Sequence, residues 1–347
     1  MLEKGSALAV IPKARAMFSR RLTKSEYAEL ERRRTVPELA LFLKNHPYFK
    51  DSLKAMPTQN LHRAQLENLL TQDMLIKYQS LLHYDYVKTS FARFFAMEVE
   101  TQQIITALRF LAMGHEDEFI AEMPMFLQPY IEVNLMSLAR ASSFKELLRA
   151  LTGTPYYKVL EPIFKNDPKL ENLQLMECAM LTHYYSSVLE LADKNFKGSE
   201  LRDVKELFLE EAELYNINML FRIKTFFPDA YDHEQLKAML LPIYYKVSHK
   251  KMEMLTGARN TEEITAMLIQ MKRNKIHEVQ ERGNVSHQED APLYSRAITL
   301  LHFTSSPAAA LAAFMCFAKL ERSNIINCLE GVRYGLAPEE IEKLILY

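Results

Sequence analysis

The five residues Glu321-Arg322-Ser323-Asn324-Ile325 have two counterparts earlier in the chain, Glu213-Leu214-Tyr215-Asn216-Ile217 and Glu100-Thr101-Gln102-Gln103-Ile104. The likeness continues beyond them. Arg109 and Arg222 stand nine residues after the first two glutamates, and Glu330 takes that place in the third copy. Gly114 and Gly335 follow at fourteen, and Ile120 and Ile341 at twenty. A second pattern, a helix start of the capping-box kind, alternates with the first. It reads Thr35-Val-Pro-Glu38-Leu39 with Leu43, Ser143-Phe-Lys-Glu146-Leu147 with Leu151, and Asn260-Thr-Glu-Glu263-Ile264 with Leu268. In such a box the cap side chain accepts from the N–H three residues on, and the Glu reaches back to the cap. Successive caps lie 108 and 117 residues apart and successive glutamates 113 and 108 apart. Spacings this similar mark a threefold internal repeat. The units divide as 1–125, 126–240 and 241–347.

Composition says what the units are made of. Eight glycines in 347 residues is far below the usual share of about 7%. Hairpins and phosphate-cradling loops need glycine at positive φ, so both are excluded as a general theme. Apolar residues recur at helical spacing, as in Leu39, Phe42 and Leu43, in Ile104, Leu108 and Leu111, and in Ile325, Leu329 and Val332. The breaks are short: Asn45-His46-Pro47, Thr152-Gly153-Thr154-Pro155, Lys165-Asn166-Asp167-Pro168 and Lys197-Gly198-Ser199. Gly283 to Pro292, after a charged segment Lys272 to Arg282, reads as the longest loop. Pro307 to Ala318 is apolar throughout but too short for a bilayer span, which needs about 20 residues. It reads as a buried core helix. The fold class is all-α.

Nine residues at about 100° each place the Glu and the Arg of one motif on opposite sides of its helix. Each therefore needs its own neighbour. Either both tie the helix to its flanking helices, or one of them lines an interior surface shared by the three units.

No constellation for chemistry is present. The three cysteines, Cys178, Cys316 and Cys328, are too scattered for a disulfide framework or a zinc site and fit a reducing, cytoplasmic compartment. The ten histidines include no HExxH and no paired ligand spacing. His115-Glu-Asp-Glu118 reads as a solvated turn, and Asp232 as a helix cap. GxSxG, Walker A, GxGxxG and DDxxD are all missing, so no cofactor, metal or small-molecule substrate is expected and the chain is read as a non-enzyme. A formal charge of −1 gives no footprint for nucleic acid. The one asymmetry is at the start, where residues 1–34 carry nine basic side chains against four acidic ones. They form a solvated face or a contact for an acidic partner or anionic membrane surface.

Taken in order, three segments carry a family resemblance: Ala14-Arg-Ala-Met-Phe-Ser-Arg-Arg-Leu through Leu43, Ala141-Ser-Ser-Phe-Lys-Glu-Leu-Leu to Tyr157, and Phe317-Ala-Lys-Leu-Glu321-Arg-Ser-Asn-Ile to Ile345. The chain resembles the C-type subunits of V/A-type ATPases, the family that includes the eukaryotic d-type V-ATPase subunits. The resemblance runs end to end and rests on order and spacing. It implies three similar helical bundles in a pseudo-threefold funnel. It also implies a non-catalytic rotor part, a socket between the membrane proteolipid ring and the central-stalk subunits that transmits torque for ion transport. Such a part is peripheral on the cytoplasmic, inner face of the membrane. The motif positions Glu100, Gln103, Arg109, Glu213, Asn216, Arg222, Glu321, Asn324 and Glu330 are the candidates for structural or cavity-lining roles. A generic helical adaptor is the other class, but its repeats run at about 34–47 residues.

Overall fold

The computed structural model describes residues 8–54, 56–83, 90–115, 119–120, 123–164, 173–228, 230–271 and 291–346. Among them every regular element is helical and no strand occurs. The predicted break at Lys165-Asn166-Asp167-Pro168, residues 116–118, and the loop and charged segment within 272–290 lie outside the described residues.

The chain runs through α1 (Val10–Phe18), α2 (Lys24–Glu31), α3 (Val36–Asn45), α4 (Arg63–Leu82) and α5 (Phe94–Met113). It continues with α6 (Leu135–Ala139), α7 (Phe144–Ala150), α8 (Pro155–Phe164), α9 (Leu173–Asn195) and α10 (Gly198–Phe226). The last third holds α11 (His233–Ala238), α12 (His249–Thr256), α13 (Thr261–Gln270), α14 (Ala291–Phe303), α15 (Pro307–Arg333) and α16 (Pro338–Glu342). Among the described residues one order recurs, with α8 added in its second occurrence: a short helix (α2, α6, α12), a capped helix (α3, α7, α13), then a closing pair (α4–α5, α9–α10, α14–α15). The second member of each pair carries the Glu motif.

The capped helices begin alike, and differently from expectation in one respect. Thr35, Ser143 and Asn260 each accept from the N–H three residues on. Each Glu, however, reaches past the cap to the residue before it. Glu38 accepts from Arg34 N at 3.1 Å, Glu146 from Ser142 N at 3.0 Å and Glu263 from Arg259 N at 2.8 Å. These three caps are more fully extended, at φ of −137°, −152° and −148°, than Thr23 and Asp232 at −83° and −76°, where the side chain three residues on does take the cap's own N–H. The apolar residues four and eight after each cap (Leu39 and Leu43, Leu147 and Leu151, Ile264 and Leu268) are all buried, which seats each helix as its sequence predicts.

α15 is the centre of the molecule. Ser306 caps it and Pro307 opens it, a start that proline's fixed φ favours. Every side chain from Pro307 to Ala318 is buried, as read from the sequence. The alanines let neighbours approach closely, and α15 packs on α14, α4, α1 and α10. Asp232 caps α11 as expected.

The two chain ends share one core. Leu30, Leu39, Leu43, Phe49, Leu53 and Leu66 pack with Ile325, Leu329, Ile341 and Ile345 in a cluster distinct from the larger one of the remaining chain. Gly331 lets α16 approach α15, since a Cβ there would sit 2.6 Å from Ile341 Cγ1. Ile120 and Ile341, matched in sequence, differ in environment: Ile120 is exposed and Ile341 buried. Gly114 and Gly335 do the same job in two units. Both adopt the left-handed conformation, at φ of 71° and 68°. The next N–H then folds back to a carbonyl five residues earlier, His115 to Phe110 at 3.0 Å and Leu336 to Gly331 at 2.9 Å.

Candidate functional site

The three motif glutamates are buried, and each accepts a backbone N–H from the segment leading to a capped helix. Glu100 takes Glu132 N, eleven residues ahead of Ser143, and also the Tyr156 hydroxyl. Glu213 takes Val247 N at 2.6 Å, thirteen ahead of Asn260. Glu321 takes Leu22 N at 3.3 Å, thirteen ahead of Thr35. The third link therefore closes the chain on its own beginning, across 299 residues.

The amide position works as a clamp in two of the units. Asn216 donates to Leu241 O at 2.9 Å and accepts from Leu241 N at 2.7 Å. Asn324 does the same to Leu346, at 2.8 and 2.9 Å. Gln103 makes no such clamp; it is half-buried and faces a cavity. At the ninth position Arg109 forms a two-point bond to Glu177 on α9, at 2.6 and 2.7 Å, which raises its already high pKa further. Arg222 is exposed, and Glu330 is half-buried beside Arg333 at 3.3 Å. In the first motif Glu100 and Arg109 face different neighbours, Glu132 and Tyr156 on one side and Glu177 on the other. Glu321 differs electrostatically from its counterparts. Burial, offset by Lys77 and the Leu22 N–H, pushes its carboxyl up to about 7.

A position outside the motif brings α5, α10 and α15 together. The residue two before each motif glutamate is Glu98 in α5, Glu211 in α10 and Lys319 in α15. These three meet. Lys319 Nζ donates to Glu98 at 2.7 Å and to Glu211 at 2.6 Å, with all three side chains under a quarter exposed. Burial pushes Glu98 above the usual carboxylate range, against the pull of Lys319. Two carboxylates hold Lys319 well above the ordinary lysine value despite its burial.

Beside this triad lies a polar cavity of about 520 Å³ between α4, α5 and α15. Its wall includes Glu98, Gln102, Gln103 and Arg109 from α5, and Lys319, Arg322 and Ser323 from α15. No group of described His, Cys, Asp and Glu side chains has the arrangement of a metal site. Cys328 lies in the core and burial raises its thiol pKa, the reverse of an activated nucleophile. Among the described residues no helix is long and apolar enough to cross a membrane. Part of the basic N-terminal charge is used internally. Arg15 donates to Leu301 O and Thr304 O at 2.7 and 2.9 Å, and Arg21 and Arg33 lie over Phe18 and Phe42.

Three relatives are similar to this chain, each named as the C-type subunit of an A-type ATP synthase. The protein of Methanocaldococcus jannaschii is 21% identical over 265 residues, 73% of this chain and 64% of its own length. That of Methanosphaera stadtmanae is 23% identical over 244 residues, 70% and 60% respectively, so the chain spans less than two thirds of these two. That of Pyrococcus abyssi is 22% identical over 345 residues, covering 95% of this chain and 88% of its own. Residues 10–344 match the family described as the ATP synthase (C/AC39) subunit. With helices throughout and the whole motif-bearing region inside that match, the chain belongs to the ATP synthase (C/AC39) subunit family.

Proposed function

We propose that this chain is a non-catalytic coupling subunit of a rotary V/A-type ATPase, a socket joining the central stalk to the membrane proteolipid ring. In this reading its three units surround a pseudo-threefold axis and carry torque as a peripheral part on the inner face of the membrane. The observation that carries it is the meeting of Glu98, Glu211 and Lys319. Equivalent positions of three repeats within hydrogen-bond distance of one point support an arrangement of the repeats around that point. A polar cavity opens beside it, and its size suits a helix end. One turn of a helix about 10 Å across and 5.4 Å long fills roughly 400 Å³, and about 520 Å³ is present. Packed helices also suit a torque carrier, because close-packed interiors resist deformation. The spacing of the repeats, 108 to 117 residues, is far from that of helical adaptors.

Purification of the membrane complex tests the reading. The chain is expected to come away with both ring and stalk, and its deletion to abolish ATP-driven ion pumping while the catalytic head still hydrolyses ATP. Recovery with neither partner, together with intact pumping in the deletion strain, would sink it.

A further inference from the structure

The junction that joins the chain ends is built around a charge imbalance. Glu321 on α15 and Asp73 on α4 are both buried, and one ammonium, that of buried Lys77 on α4, faces the two carboxyls. Lys77 Nζ donates to Asp73 at 2.6 Å and sits 3.1 Å from the ring centroid of Tyr48. The Ser52 hydroxyl donates to the other Asp73 oxygen, also at 2.6 Å. Each oxygen of Asp73 thus has its own donor. Glu321 has the Leu22 N–H at 3.3 Å and the pull of Lys77 from longer range.

The other groups around Glu321 do not make up the missing charge. Tyr27 on α2, Tyr48 after α3 and Tyr294 on α14 face it with hydroxyls that burial keeps neutral. Arg21 is drawn to Tyr294 and lies 4.0 Å over Phe18. Glu31 on α2 faces Cys328, two turns further along α15. Two carboxyls and one ammonium cannot all be charged out of water without a costly uncompensated charge. One proton therefore stays in the cluster. Asp73 is already met at both oxygens, so the proton belongs to Glu321, whose carboxyl burial pushes up to about 7.

The segment that Glu321 holds can move by itself. Leu22, Tyr27, Leu30 and Leu39 pack on Ile325 and Leu329 in a cluster separate from the larger core. From this placement we infer that the closure of the chain ends is a proton-operated latch: with Glu321 protonated, Leu22 and α2–α3 are held on α15, and with Glu321 ionised beside Asp73 they open as one unit. Opening admits water, and the carboxyl returns to its ordinary value near 4.5 and releases its proton. The open fraction then rises about tenfold per pH unit between about 4.5 and 7. It levels off above 7, where the closed form has lost the same proton. Acidification below neutrality tightens the joint. The latch goes beyond the socket role and stands without it.

Hydrogen exchange of the full chain from pH 5 to 8, corrected for the intrinsic rate at each pH, tests it. Protection in α2 and α3 is expected to fall about tenfold per unit from pH 5 to 7 and to stay level from 7 to 8. Protection in α9 and α10 is expected to stay constant throughout. Glu321→Gln keeps an acceptor for the Leu22 N–H and has no proton to lose, so α2 and α3 are expected to stay protected at every pH. Asp73→Asn leaves Lys77 to Glu321 alone, one acid with one base, and is expected to bring the slope below about threefold per unit. The two variants remove the imbalance from opposite sides, so either one alone is decisive. Constant protection of α2 and α3 in the unaltered chain, an equal slope in α9 and α10, or the full slope in either variant overturns the latch.

Discussion

Glu321 and Lys319 sit two residues apart, and each has a charge whose cost depends on its surroundings. The Glu321 carboxyl is held up to about 7, mainly by burial. Because its folded pKa lies above the unfolded value, the folded state binds the extra proton, and stability falls as pH rises from about 4.5 through 7. Glu321→Gln keeps an acceptor for the Leu22 N–H while removing the titration. Urea unfolding of this variant is expected to lose a pH dependence of up to about 3 kcal/mol across that window; an unchanged slope would assign it to other groups. Lys319→Met leaves Glu98 and Glu211 facing each other with their cation gone. The expected loss is about 3 kcal/mol at pH 7, smaller at lower pH because Glu98, already raised by burial, takes up a proton more readily than an ordinary carboxylate. At the amide position the three units should part company. Asn216→Ala and Asn324→Ala each strand a buried N–H and C=O, at about 2–4 kcal/mol. Gln103→Ala, whose side chain clamps nothing, is expected to stay within about 0.5 kcal/mol.

Elements differ in how plainly the sequence announces them. The capped helices are legible because everything that starts them is within eight residues: cap, Glu and two apolar seats. Even there, sequence spacing could not say which backbone N–H the Glu would take, since that depends on the extended turn before the cap. The motif helices are legible through Glu in all three and Asn in two, whose buried hydrogen bonds demand the same letter wherever they form. Glu98, Glu211 and Lys319 are not legible for the opposite reason. Side chains that meet at one point must be complementary, so two of one sign require the third to be of the other. A search for identical letters passes over such a place. The junction of α15 with α16 gives a test at this scale. Gly331→Ala forces its Cβ against Ile341, with an expected loss of about 1–3 kcal/mol. In an Ile341→Ala background the same change is expected to cost little, and the difference between the two backgrounds in thermal unfolding measures the contact.

For the whole molecule, helical class followed from glycine scarcity and apolar spacing. The pairing of the chain ends did not, because no local pattern encodes a contact 299 residues away. It makes the third motif helix the partner of the first capped helix, much as α5 partners the segment before α7 and α10 the segment before α13. A cut after Lys343 removes Leu346, the clamp of Asn324, and Ile345, a member of the shared core. Hydrogen exchange is expected to show protection lost in α2 and α3 at the far end of the sequence, with α9 and α10 little changed. Equal loss everywhere would mean that the two cores unfold as one.

The same closure bears on how the protein is born. At about 5–20 residues per second on the ribosome, Glu321 is made some 15–60 s after Leu22, to which it must bond. Throughout that interval α2 and α3 exist without α15, the helix that completes their core. The leucines of α2 and α3 thus wait for α15 to complete their burial, and that is where a chaperone shielding this protein would be found.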